Sequence, residues 1–143
     1  MRVPHYATVT GTRLVFPLAY FQFGLAPVFT RAPREHVVYL PYESSEDDSL
    51  ELTLPPGFAL EDADAPASFA LPPAVEYRTS LVKAAGGDRL LYRRRVSHGG
   101  MFFPAATYRV LQQAFDDLHR QDGYVVSARR VEELSPDTEV RTR

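Results

Sequence analysis

Four carboxylates crowd one short stretch, Glu43, Glu46, Asp47 and Asp48, and oxygen ligands at that density are what calcium takes, roughly six to eight per ion. The run has neither the regularly spaced Asp or Asn nor the fixed glycine of an EF-hand loop, so it reads as a solvated hairpin end between strands. The histidines, His5, His36, His98 and His119, show no His-x-His or His-x-x-x-His spacing, and no zinc site is expected from them. Ser97-His98-Gly99-Gly100-Met101 places a hydroxyl, an imidazole and glycine amides side by side, the parts of an acyl-transfer site. Neighbours on a strand point to opposite faces, however, so Ser97 and His98 do not meet, and the segment reads as a strand-to-helix turn. Neither Gly86-Gly87 nor Gly99-Gly100 precedes a Lys-Ser/Thr step, so neither is a phosphate loop. The basic run Arg93-Arg94-Arg95, with Arg89, Arg129 and Arg130, has two readings. It forms either a patch that grips a carboxylate or phosphate bidentately, or a set of ion pairs with acids such as Glu51, Glu61 or Glu76.

The elements that must carry these groups are short. Twelve prolines in 143 residues leave few windows before Pro104 for a long helix, since proline inside a helix costs ~3 kcal/mol or more. The runs between them are rich in Val, Leu, Tyr, Phe and Thr, the composition of strands. Ser49–Leu54 alternates cleanly, with Leu50, Leu52 and Leu54 on one face, and stops at Pro55-Pro56-Gly57. Glu35–Pro41 reads as another strand, and Tyr42–Asp48 as the loop between the two. Val75–Lys83 and Asp88–Ser97 form a hairpin through Ala84-Ala85-Gly86-Gly87. On its return strand Leu90, Tyr92, Arg94 and Val96 share a face, so Arg94 lies near a sheet edge or meets a carboxylate, an unpaired buried guanidinium being costly. Val3–Val9 and Thr12–Phe16 pair across Thr10-Gly11, and Pro17–Arg34 is an irregular aromatic crossover packed on the core. One helix is expected over Pro104–Gln121: proline suits its first position, and Tyr108, Leu111, Phe115 and Leu118 make a single apolar stripe. Asp122-Gly123 stops it, and Tyr124–Val131 returns as a last strand. The whole predicts a mainly β, α+β domain over 1–131. Its core is an antiparallel β-sandwich of about seven to eight strands with helix 104–121, followed by a charged, disordered tail over 132–143.

Composition narrows the function classes. Net charge is −2, which argues against a basic nucleic-acid-binding domain. No apolar stretch approaches the roughly 18 residues of a membrane span, and the first residues lack the apolar run of a signal peptide. The absence of cysteine excludes disulfides, Cys-ligated zinc and thiol nucleophiles. The absence of asparagine removes one common sugar-binding side chain.

The order of elements carries a resemblance. The strand Arg34–Tyr42 with its Leu40-Pro41 step, the turn Leu54-Pro55-Pro56-Gly57-Phe58, a hairpin, a helix bearing Tyr108, Leu111 and Phe115, and the basic strand Tyr124–Arg130 follow one another in this chain. Over roughly Gly11–Val131 the series resembles the C-terminal domain that follows the transglutaminase-like core in bacterial exported proteins with an N-terminal domain of unknown function. Ala63-Asp64-Ala65-Pro66 departs from that family's leucine-proline-basic-proline step, and the catalytic Cys-His-Asp core of such proteins is absent. The resemblance implies a non-catalytic accessory domain, periplasmic or secreted, that docks on or supports a transglutaminase-like neighbour or another protein partner, with no cofactor or metal of its own. The residues expected to meet the partner are Phe102, Phe103, Arg93 and Arg95; of the adjacent phenylalanines one ring must point outward. Two other readings stand beside it: a peptide- or carbohydrate-binding β-sandwich module, and a small hydrolase in which His36 or His98 converges with an acid.

Overall fold

The computed structural model describes residues 5–29, 35–61 and 63–131; the expected tail over 132–143 lies outside them. The described residues form a β-rich α+β fold with ten strands and one α-helix. In chain order these are β1 (Thr8–Thr10), β2 (Arg13–Pro17), β3 (Val38–Tyr39), β4 (Ser44–Thr53), β5 (Phe58–Leu60), β6 (Phe69–Leu71), β7 (Val75–Lys83), β8 (Arg89–His98), β9 (Phe102–Phe103), α1 (Tyr108–Asp122) and β10 (Val125–Arg130). They assemble into a small sheet β1-β2-β10-β5, a large sheet β4-β8-β7-β6 and a separate ribbon of β3 and β9, all antiparallel.

The expected hairpin is the spine of the large sheet: β7 and β8 pair along their whole length. On β8 the residues Leu90, Tyr92, Arg94 and Val96 are buried while Arg89, Arg93 and Arg95 are exposed, the two-residue period of a sheet covered on one side. Two cores share that covered face. Leu90 and Tyr92 belong to a core closed by the small sheet through Phe16, Val126 and Ala128. Val96, with Val75 and Tyr77 of β7, belongs to a second core closed by α1 and the ribbon, through Leu111, Phe115, Leu118, Val38 and Phe103. Arg94 lies between them. The helical stripe Tyr108, Leu111, Phe115 and Leu118 is buried as its spacing requires, and Ala114 and Asp122 join it. A 3₁₀ turn over Ala105–Thr107 precedes α1, so regular helix starts at Tyr108 and not at Pro104.

Three further expectations are corrected. The acidic stretch is no loop: β4 begins at Ser44 and pairs with β8 from Ser44↔His98 to Thr53↔Arg89. Ser, Glu and Asp are poor strand formers, but here Asp47 and Asp48 sit directly opposite Arg95 and Arg94, and opposite charges across a ladder stabilise it. Of Glu35–Pro41 only Val38–Tyr39 is strand, and its partner is β9, so this segment joins neither four-stranded sheet. The Ser97–Met101 segment leads to β9 before it reaches the helix. Its glycines are there for packing: a Cβ on Gly99 would lie 2.7 Å from the Pro73 carbonyl oxygen, and one on Gly100 (φ +73°) 3.0 Å from the Phe103 ring. Among the described residues no helix is long and apolar enough to cross a membrane.

Candidate docking ribbon and the ion cluster beneath it

The ribbon is two residues wide, so alternation sends one residue of each strand inward and the other outward. Val38 and Phe103 face each other in the helical core, 2% and 9% exposed. Tyr39 and Phe102 face each other outside it, 56% and 66% exposed, with ring centroids 5.0 Å apart at 30°. Tyr42, Val37 and Met101, all exposed apolar side chains, lie in the flanking sequence. Of the four residues expected at a partner surface, Phe102 is therefore presented and Phe103 is not, being part of the core that supports it. Arg93 and Arg95 lie elsewhere, on the face of the large sheet turned away from both cores. There Arg95 pairs with Asp47 at 3.6 Å and Arg78 with Glu76, while Arg93 stands between Ser49 and Ser80 in register. The four do not form one surface.

Arg94 is the residue around which the interior is organised. It is 3% exposed and donates from Nε and Nη2 to the two carboxylate oxygens of Asp122, both at 2.7 Å. Nη1 donates to Glu46 and Asp48, both at 3.0 Å. This fork-to-carboxylate geometry is the strong form of the ion pair. Asp122, at the last turn of α1 and 6% exposed, also accepts from the Tyr77 hydroxyl at 3.2 Å, which lies 3.4 Å from the Tyr92 hydroxyl. Burial alone would weaken the guanidinium's hold on its proton. The hydrogen bonds and charge of Asp122, with Glu46, more than offset it and hold Arg94 above its ordinary value. Burial pushes the Tyr77 hydroxyl far up, so it stays a donor.

The acids expected to pair with the arginine run were Glu51, Glu61 and Glu76. Glu61 does pair with Arg129, at 3.9 Å, and more closely with Arg13, at 2.9 Å; Arg94 uses Asp122, Glu46 and Asp48 instead. Asp122 was missed because a helix-stop signal, Asp before Gly, accounts for it without a buried role. Strand alternation also divides the acidic run, Glu46 and Asp48 inward to Arg94 and Asp47 outward to Arg95.

Ser97 and His98 diverge as neighbours on a strand must. His98 stacks on Phe115, centroids 5.4 Å apart at 11°, in a recess it shares with His119, Glu46 and Asp122. Its Nδ1 is buried without a partner among the described residues, and burial holds its pKa below the ordinary value. An imidazole that resists protonation in the native state but not in the unfolded one makes unfolding take up a proton. Stability is then full above the unfolded value of about 6.5 and falls as pH drops through it. His98→Phe, which keeps a ring on Phe115, should flatten the stability profile between about pH 7.5 and 5. Urea melts across that range check this, and a slope equal to that of the parent would count against it.

Comparison with protein-family models, curated proteins and solved structures finds no match to this chain.

Proposed function

We propose that this chain is a non-catalytic docking domain, and that the stacked pair Tyr39–Phe102 is the anchor its protein partner covers. One observation carries the reading: two large rings are held in contact with each other, both more than half exposed, by a ribbon whose opposite side is fixed in the core through Val38 and Phe103. Rigid exposed aromatics lose little side-chain entropy on binding and dominate interface energetics. An exposed apolar cluster of this kind is otherwise a liability for a soluble chain. The partner supported by the sequence resemblance is a transglutaminase-like catalytic neighbour, and the setting it implies is periplasmic or secreted. In this reading the arginines of the outer sheet face serve solubility and Asp47 pairing, not the anchor.

The test is association with a separately supplied transglutaminase-like catalytic domain, measured by pull-down and by titration. Phe102→Ser should weaken association by about tenfold or more, the loss expected of an aromatic anchor. Its thermal stability should stay within about 0.5 kcal/mol of the parent, as for an exposed position. Arg93→Ser should leave association unchanged. Unaltered binding by Phe102→Ser and Tyr39→Ser would remove the ribbon from the interface.

A further inference from the structure

A second concavity lies away from the ribbon, between β4 and the turns that follow β2. It encloses about 370 Å³, walled by the rings of Tyr6, Tyr20, Phe21 and Tyr92, with Gln22 and Asp48 at its polar end. The walls are arranged in sequence: Tyr6 and Tyr20 have centroids 5.5 Å apart, Tyr20 and Phe21 5.2 Å apart at 75°. A volume of several hundred cubic ångströms, aromatic walls and a few convergent polar groups are the usual make-up of a small-molecule site.

The polar groups whose hydrogens are already committed leave acceptors free. Tyr6 gives its hydroxyl hydrogen to the Pro17 carbonyl, and burial together with Tyr20 pushes that hydroxyl up to about 12, so what it turns to a ligand is a lone pair. Gln22 gives its amide hydrogens to Asp48 Oδ2 at 3.2 Å and Glu46 Oε2 at 3.5 Å. Those two carboxylates fix which way round the amide sits. Its Oε1 is left buried without a partner among the described residues, which costs the fold unless something donates to it. Asp48 accepts from Arg94 and Gln22 at Oδ2, and its Oδ1 accepts from none of the described residues. Charge points the same way. One guanidinium faces Asp122, Glu46 and Asp48, so the cluster as a whole is net negative, and Asp48 is the member of it that lines the cleft.

We propose that this cleft binds a small ammonium ion carried on an aromatic or branched apolar body, the nitrogen donating to Asp48 and the body lying against Tyr6, Tyr20 and Phe21. An anionic ligand of the same shape brings acceptors and a like charge to Asp48, and a hydroxyl brings one uncharged donor where an ammonium brings three charged ones. A cation is drawn both by the carboxylates and by the faces of the rings. The site is independent of the ribbon and stands or falls separately from the docking role.

Calorimetric titration of the full chain with phenethylammonium, 2-phenylethanol and 3-phenylpropionate tests it, because the three share one aromatic body. Phenethylammonium should bind at least about tenfold more tightly than the alcohol, and the carboxylate should not bind. Asp48→Asn should abolish the preference for the ammonium, and Phe21→Ala should weaken all binding. Phe21 is exposed, so that variant folds whether or not Asp48→Asn does. Equal affinity for ammonium and alcohol, no binding of phenethylammonium, or affinity unchanged in both variants would overturn the proposal. Tighter binding of Nα-acetyl-lysine methylamide than of phenethylammonium would place the ammonium on a partner protein's side chain and overturn the small-molecule assignment.

Discussion

Arg94→Met is expected to destabilise the chain by ~3–5 kcal/mol, the loss seen when one member of a buried ion pair is removed. The methionine keeps the aliphatic stem, so most of the loss comes from the missing charge and its donors and a smaller part from the space the guanidinium filled. Among the described residues Asp122, 6% exposed, would keep a single donor, the Tyr77 hydroxyl, for two carboxylate oxygens, and Glu46 and Asp48 would face it without a cation between them. Lysine is no substitute, since it is a point donor and cannot bind both oxygens of Asp122 while reaching Glu46 and Asp48. The double variant Arg94→Met, Asp122→Leu separates the pair's net worth from the penalty of breaking it. Replacing both members with apolar groups is often neutral, so the double variant should recover more than half of the single loss. Urea melts of the four proteins close a double-mutant cycle. A single-variant loss below about 1 kcal/mol would show that water reaches the guanidinium and that the two cores are not joined through it.

Arg94 also marks the limit of what the residues disclose in order. Its place among Leu90, Tyr92 and Val96 leaves two options, a sheet edge or a carboxylate partner, and the structure takes the second. Which carboxylate is not a local property: Asp122 is 28 residues away, at the end of a helix whose direction across the sheet is set by tertiary packing. The other two partners left a signal. Glu46, Asp48, Leu50 and Leu52 form one unbroken two-residue series, and the series, not the polarity of its first members, tells where β4 begins. The hairpin β7–β8 and the stripe of α1 were legible because both are local and long enough to repeat their period several times. The ribbon was not, since a strand of two residues has no period. Phe102-Phe103 still disclosed that one ring must point outward, because adjacent residues cannot share a face; only the identity of the inward one required the pairing Val38↔Phe103.

The proposed docking role places a demand on the interior. Tyr39 and Phe102 serve as an anchor only if they are held before the partner arrives, since ordering them on binding subtracts from affinity. The cluster that contains Val38 and Phe103 is the one that α1 closes. Stability of the helix and presentation of the rings are therefore one property measured in two ways, which gives a core substitution a readout at the surface.

Phe115→Ala is expected to cost ~3–5 kcal/mol, the range for deleting a buried aromatic ring and leaving a cavity. Phe115 is 5% exposed. It meets Phe29 edge-on at 4.9 Å and 84° and His98 face-on at 5.4 Å, so two neighbouring rings lose a contact together. The loss should exceed that of Leu111→Ala, at ~2–5 kcal/mol, where no ring pairs are broken. The gap cannot close easily, because the sheet side is fixed by Val75, Tyr77 and Val96 and strands are less free to move inward than a loop would be. Phe115→Leu keeps most of the volume and should cost less than half as much. Measured by urea melts, changes under about 0.5 kcal/mol for both alanine variants would place α1 outside the core. If instead both fall in the stated range, association through Phe102 should weaken in Phe115→Ala even where the variant remains folded, since the removed ring lies in the packing that fixes Phe103 and, through its pairing with Val38, the ribbon.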